Sequence, residues 1–93
     1  MQRISKQHLT DQLDRLNRLT GNPLTKYTRG DGAWRGNVGH YCLYSAYGMT
    51  GLHQLVNEGG GAREVFGLTT KRDLYGKLDA LILGYSLALE AAQ

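Results

Sequence analysis

The sequence predicts an α+β fold: an N-terminal helix, a three- to four-stranded antiparallel meander, and a long C-terminal helix packed on the sheet, in the order α-β-β-β-α. Three observations predict it. Leucines recur at helical spacing near both ends of the chain, glycines and tyrosines crowd the middle, and the length permits one core only. Ninety-three residues, 41% hydrophobic and 20% charged, fit a single globular domain over residues 1–93. Thirteen glycines imply many sharp turns or bulges, where a positive φ strains other residues.

Residues 4–20, ISKQHLTDQLDRLNRLT, carry the first helix. Ser5 is placed to cap it, and Ile4 and Leu9 to staple the entering chain. Leu9, Leu13 and Leu16 step by four and three along one face, with Leu19 at its edge. Asp11 and Arg15, and Asp14 and Arg18, are favourable i,i+4 pairs on the wet side. Gly21 supplies a left-handed stop and Pro23 bars continuation.

From Leu24 to Gly67 the pattern is β-like. TKYT reads as a short strand or extended arm and Asp31-Gly32 as a hairpin turn. AWRGNV, HYCLYS and LHQLVN read as successive strands, AYGMTG as a connecting loop, and AREVF as the last strand. Alternation in HYCLYS and LHQLVN is too poor to fix register or the core-facing side.

Residues 71–91 carry the second helix. Leu74, Leu78, Leu81, Tyr85, Ala88 and Ala92 step by four and three, and Tyr75, Ile82 and Leu89 widen the stripe. So broad an apolar face covers a sheet or another subunit, which leaves room for a homodimer. Gly76 and Gly84, eight residues apart, point to close backbone approach on one face.

Composition narrows the function. A lone cysteine, Cys42, cannot close an internal disulfide, so a reducing compartment is the default. No apolar run reaches the roughly 18–20 residues of a membrane span, and MQRISKQHL lacks a signal peptide's apolar core. A cytoplasmic location without a membrane partner is the expectation. Net charge of +3 and a pI near 9.2 permit an acidic or nucleic-acid partner without requiring one. His8, His40 and His53 lack the spacing of a metal site, and Cys42 in so apolar a strand reads as a buried, inert thiol. Asp31, Glu58 and Glu64 offer no carboxylate pair. No catalytic residue, metal ligand or cofactor is expected, and the chain is read as no enzyme.

Two stretches invite a binding reading. Phosphate loops run from a strand into a helix, whereas Gly59, Gly60 and Gly61 run into a strand, so the first reading is an ordinary turn or bulge. Lys71 and Arg72 open the second helix behind Thr70 as N-cap, with Asp73 placed as in a capping box. Cations at the positive end of a helix dipole cost about 0.3–1 kcal/mol each. A local rule broken without compensation marks a candidate anion-binding corner; the alternative is that both side chains extend into water, where salt screens the penalty. This position and the element order are similar to those of the double-stranded RNA-binding domain, as a topological analogy: that family's lysines stand at the first, second and fifth positions, and the fifth here is Tyr75. Tyr27, Trp34, Tyr41, Tyr44 and Tyr47 are interleaved with Lys26, Arg29 and Arg35. Such a set either stacks single-stranded bases or packs between helix and sheet.

Taken in order and spacing, YTR, DG, NVGHYCL, AYG, LVNEGGG and KRDLYGKLDALILG resemble a family of small proteins from tailed phages and prophages, over Tyr27 to Gly84. The pattern departs at Met49, where a second glycine is expected after AYG. The resemblance transfers no catalytic residue. It implies a cytoplasmic, non-enzymatic accessory protein of an infected or lysogenic bacterial host, acting as a protein-interaction module on a host or phage protein. The contact surface expected from these stretches joins Asn57, Glu58, Gly59, Gly60 and Gly61 to Lys71 and Arg72. The alternative is a nucleic-acid-binding module with Lys26, Arg29 and Arg35 on phosphates and Trp34 stacking.

Overall fold

A computed structural model describes residues Arg3 to Ala92. Helix α1 (Lys6–Thr20) leads into a two-stranded hairpin, β1 (Tyr27–Gly30) and β2 (Ala33–Gly36). A three-stranded antiparallel sheet follows, β3 (Tyr41–Ala46), β4 (Met49–Leu55) and β5 (Ala62–Thr69), and then helix α2 (Lys71–Ala91). The α+β class and the helix–strands–helix order are those the sequence predicts. The meander proper has three strands, β3-β4-β5, while TKYT and AWRGNV pair only with each other. Among the described residues no helix is long and apolar enough to cross a membrane.

Helix α1 begins in a capping box whose second half is a histidine. The Ser5 hydroxyl accepts the His8 amide at 3.3 Å, and His8 Nδ1 accepts the Ser5 amide at 2.9 Å. At its end Gly21 turns left-handed at φ 72°, and the amides of Gly21 and Asn22 bond back to the carbonyls of Arg18 and Asn17. The Asp11–Arg15 and Asp14–Arg18 pairs do not close; the ion pair found among the described residues is Lys77–Asp73 at 4.0 Å. Asp11 instead accepts from the Gln7 carboxamide at 2.9 Å.

Leu9, Leu13 and Leu16 of α1 meet Leu74, Leu78 and Ile82 of α2 over Leu52 of the central strand, and these seven side chains form the core. The two helices run side by side in the same direction. His8 packs edge to face on Tyr75, the Gln12 carboxamide donates to Asp79, and Arg15 shares a groove with Ile82 and Leu83. The predicted α2 stripe thus holds for its first half and leaves the core after Ile82: Tyr85 and Leu89 are exposed. A Cβ at Gly76 or Gly84 would meet nothing within 4 Å. Within one chain, then, no backbone approaches either glycine, contrary to the expectation from their spacing.

The sheet departs from regular pairing in β5, where bulges on either side of the Leu52–Phe66 pair insert extra residues. They let Val65 and Phe66, adjacent in sequence, both pack against the core. AYGMTG is not a loop. Tyr47 and Gly48, at φ 55° and 75°, make a two-residue turn, and Met49 to Gly51 already belong to β4. The turn therefore stays tight with Met49 in place of a glycine. His40 is buried and its Nδ1 donates to the Pro23 carbonyl at 2.8 Å, a structural use of the ring.

Candidate interaction surface

The β1–β2 hairpin closes through Asp31 and Gly32 at φ 51° and 79°, the geometry for which an Asp-Gly pair is suited. Every residue of its two strands except Gly36 is exposed. Trp34 is 67% exposed, an unusual state for so large an apolar side chain. Register sets Arg29 directly opposite Trp34, with Tyr27 two residues along on the same face; Thr28 and Arg35 take the reverse face. The Lys26 ammonium lies 5.5 Å from the centre of the Tyr27 ring. Lys26, Tyr27, Arg29 and Trp34 are thus brought together, and Arg35 is turned from them.

An isolated two-stranded ribbon is marginal in water, and this one is held at its base. The Asn37 carboxamide donates to the Thr25 carbonyl and the Thr28 hydroxyl, each at 2.8 Å, while the Asn37 amide donates to the Lys26 carbonyl at 2.9 Å. The Gly36 amide donates to the Glu58 carbonyl at 2.6 Å. That last bond reaches the glycine-rich loop, which is the other half of the base. Asn57 Oδ1 accepts the Gly61 amide at 2.8 Å and the Val56 amide donates to the Gly61 carbonyl at 2.9 Å, closing the loop on itself. A Cβ at Gly36 would lie 3.0 Å from the Asn57 carbonyl oxygen, and one at Gly60 3.0 Å from the Tyr27 hydroxyl. The glycines let loop and hairpin approach, so Asn57 to Gly61 form a support beneath the exposed ribbon.

Lys71 and Arg72 lie at the other end of the sheet. Leu55, at the loop end of β4, pairs with Ala62, whereas Thr50 pairs with Thr69 just before α2. The length of β4 separates the two groups by roughly 20 Å, so the structure does not join them in one contact surface. At its own end Lys71 shares with Lys6 a cleft of about 220 Å³ lined by Leu9, Leu43 and Met49. The Thr70 hydroxyl accepts the Asp73 amide at 3.1 Å, but the Asp73 carboxylate accepts from the Thr69 hydroxyl at 2.8 Å, so the expected box is only half formed. Tyr47 stands at the same end, 93% exposed. A bulky residue in the left-handed region is strained, and nothing packs on the ring. The sequence grouped Tyr47 with the other aromatics; the Tyr47-Gly48 pair was the available sign of a turn.

The sheet face turned from the helices carries a row of Cys42, His53 and Glu64, cross-strand neighbours on β3, β4 and β5. The Tyr44 ring stacks on His53 at 3.6 Å between centroids and covers Gly51, where a Cβ would sit 2.5 Å from the ring. Among the described residues no hydrogen bond joins the Cys42 thiol to an imidazole, and none of the three concavities found touches the row. Burial pushes the Cys42 thiol up, and the Lys26 charge draws it only partly back. Such a thiol is a poor nucleophile. The widest of these three, about 520 Å³, is an open groove along α1 alone, lined by Asp11, Asp14, Arg15, Arg18 and Leu19. No family model, curated protein or solved structure matches the chain.

Proposed function

We propose that this is a non-enzymatic accessory protein of the phage or prophage type that its sequence resembles, working in the bacterial cytoplasm by binding a host or phage protein through the β1–β2 hairpin. One observation carries the reading: Trp34, two-thirds exposed, stands opposite Arg29 and beside Tyr27 on a ribbon that buries almost nothing of its own. Trp, Tyr and Arg are the residue types that carry most binding energy at protein interfaces. Asn57, Glu58 and the glycines shape the support of that ribbon, and Lys71 and Arg72 offer a separate corner for an acidic group. Trp34 is the only tryptophan, so its fluorescence reports on the ribbon directly. A bound protein is expected to shift that emission to the blue. Capture of a specific protein from infected-host lysate should fall at least about tenfold in Trp34→Ala and in Arg29→Ala, the loss expected of a hot-spot residue. Capture that both variants leave unchanged refutes the reading.

A second reading is favoured by the two cations gathered beside Trp34, Lys26 and Arg29, with Arg35 on the reverse face. If those two lie on phosphates while Trp34 and Tyr27 stack on bases, affinity for single-stranded oligonucleotides falls with salt at a log–log slope of about −1.4, from roughly −0.7 per phosphate contact. No retention at low salt eliminates it.

A further inference from the structure

The last turns of α2 carry exposed apolar side chains on two opposite sides, with Ser86 and Glu90 on one flank. Beyond Ile82 the core-facing stripe runs into solvent as Tyr85 and Leu89, while the opposite side carries Leu83 and Leu87, 60% and 54% exposed. Exposed leucines gathered on one helix face mark an interaction surface. On that opposite side Gly76, Ala80 and Gly84 follow in four-residue steps, all exposed, as a shallow groove beside the ridge of Leu83 and Leu87. The single chain makes no close approach at either glycine, since a Cβ there would meet nothing within 4 Å. Each nonetheless weakens the helix.

We infer that this face of α2 binds the same face of a second copy, the two helices antiparallel. Ridge and groove are complementary to themselves. With the helices paired head to tail about Leu81, Leu83 of one copy falls between Gly76 and Ala80 of the other and Leu87 falls over Gly76, and a two-fold axis repeats both contacts. Charge selects the direction. Arg72 and Glu90 stand about five turns apart on one flank of α2. The antiparallel pair sets each Arg72 beside the other copy's Glu90, whereas a parallel pair would set like charges together and align the two dipoles. A helix of this length is about 30 Å long and about 10 Å wide, so two such faces bury on the order of 1,000 Å² in total, the size range of weak, transient contacts. A dissociation constant on the order of 10 μM is the value to test.

Sedimentation equilibrium of the full chain, from about 1 μM to about 1 mM, brackets that value. The expected result is a reversible monomer–dimer equilibrium. Leu87→Glu, and separately Gly76→Leu, should raise the dissociation constant at least tenfold while leaving the far-ultraviolet circular dichroism of the monomer unchanged, because both positions are exposed. Glu90→Arg should weaken the dimer, and Arg72→Glu in the same chain should restore it. A chain that stays monomeric throughout, an assembly larger than a dimer, indifference to both Leu87→Glu and Gly76→Leu, or no recovery in the double charge exchange each overturns the inference.

Discussion

Asn17 is fully buried, and both ends of its carboxamide are bound to the chain of one strand residue. Its Nδ2 donates to the Tyr41 carbonyl at 3.1 Å, and its Oδ1 accepts the Tyr41 amide at 2.8 Å. The side chain acts as one rung of a strand and ties α1 to the start of β3. Asn17→Leu would leave two strand groups without partners and should lower stability by about 1–3 kcal/mol in urea unfolding. Cys42 makes a prediction in pH. Its pKa is raised by burial, so the folded chain holds the thiol proton longer than the unfolded chain does. Stability is unaffected below the unfolded value, near 9, and is lost as pH climbs through the gap above it. The Tyr44 phenol is also raised, first by desolvation and then by the neighbouring Glu64 carboxylate. It adds a loss of the same sign at higher pH. Urea midpoints measured against pH should be flat to about 9 and then fall, and Cys42→Ala should remove the first part of the fall.

At the scale of elements, the two tight turns share a geometry and differ in fitness. Asp31-Gly32 uses residues that tolerate the left-handed region, whereas Tyr47-Gly48 places a bulky ring there. Relieving that strain with Tyr47→Asn should raise stability by about 1 kcal/mol, because a ring 93% exposed gives up no packing. Thermal melts check this, and an unchanged or lowered midpoint would show that the ring is held by contacts the turn geometry does not reveal. The same contrast explains what could be read in advance. Asp-Gly is a turn by its own chemistry, and Leu9-Leu13-Leu16 and Leu74-Leu78 repeat as only a helix repeats, so these were legible. The separation of β1–β2 from the sheet was not, because its residues are exposed on both faces and carry no period-two pattern. Nor was the end of the α2 stripe, since Tyr85 and Leu89 keep the helical spacing after the helix has run past what it covers. At the candidate site the sequence named Lys26, Arg29, Trp34 and Arg35 but not their faces, which depend on a register that only pairing sets.

For the whole molecule, a chain 48 by 42 Å across and only 20 Å through has one thin core and a hairpin outside it. A protein of this length has on the order of 5–14 kcal/mol of stability, and seven of the nine buried apolar residues among those described lie between the helices and β4, Cys42 and Leu55 being outside that cluster. Leu52 is the strand residue at the centre of that layer, fully buried beneath α1 and α2. Truncating such a leucine costs about 2–5 kcal/mol, a large fraction of the total. Trp34 is a larger side chain in the sequence and yet adds little to the same balance, because it is mostly in water already. Urea unfolding should therefore separate the two: Leu52→Ala shifts the midpoint by that full amount, and Trp34→Ala leaves it within about 0.5 kcal/mol. Partner binding should separate them the other way, lost in Trp34→Ala and kept in Leu52→Ala at temperatures where that variant is folded. A Trp34→Ala chain that unfolds as readily as Leu52→Ala would mean that the ribbon belongs to the core, and its aromatic face would then be packing rather than a surface kept open for a partner.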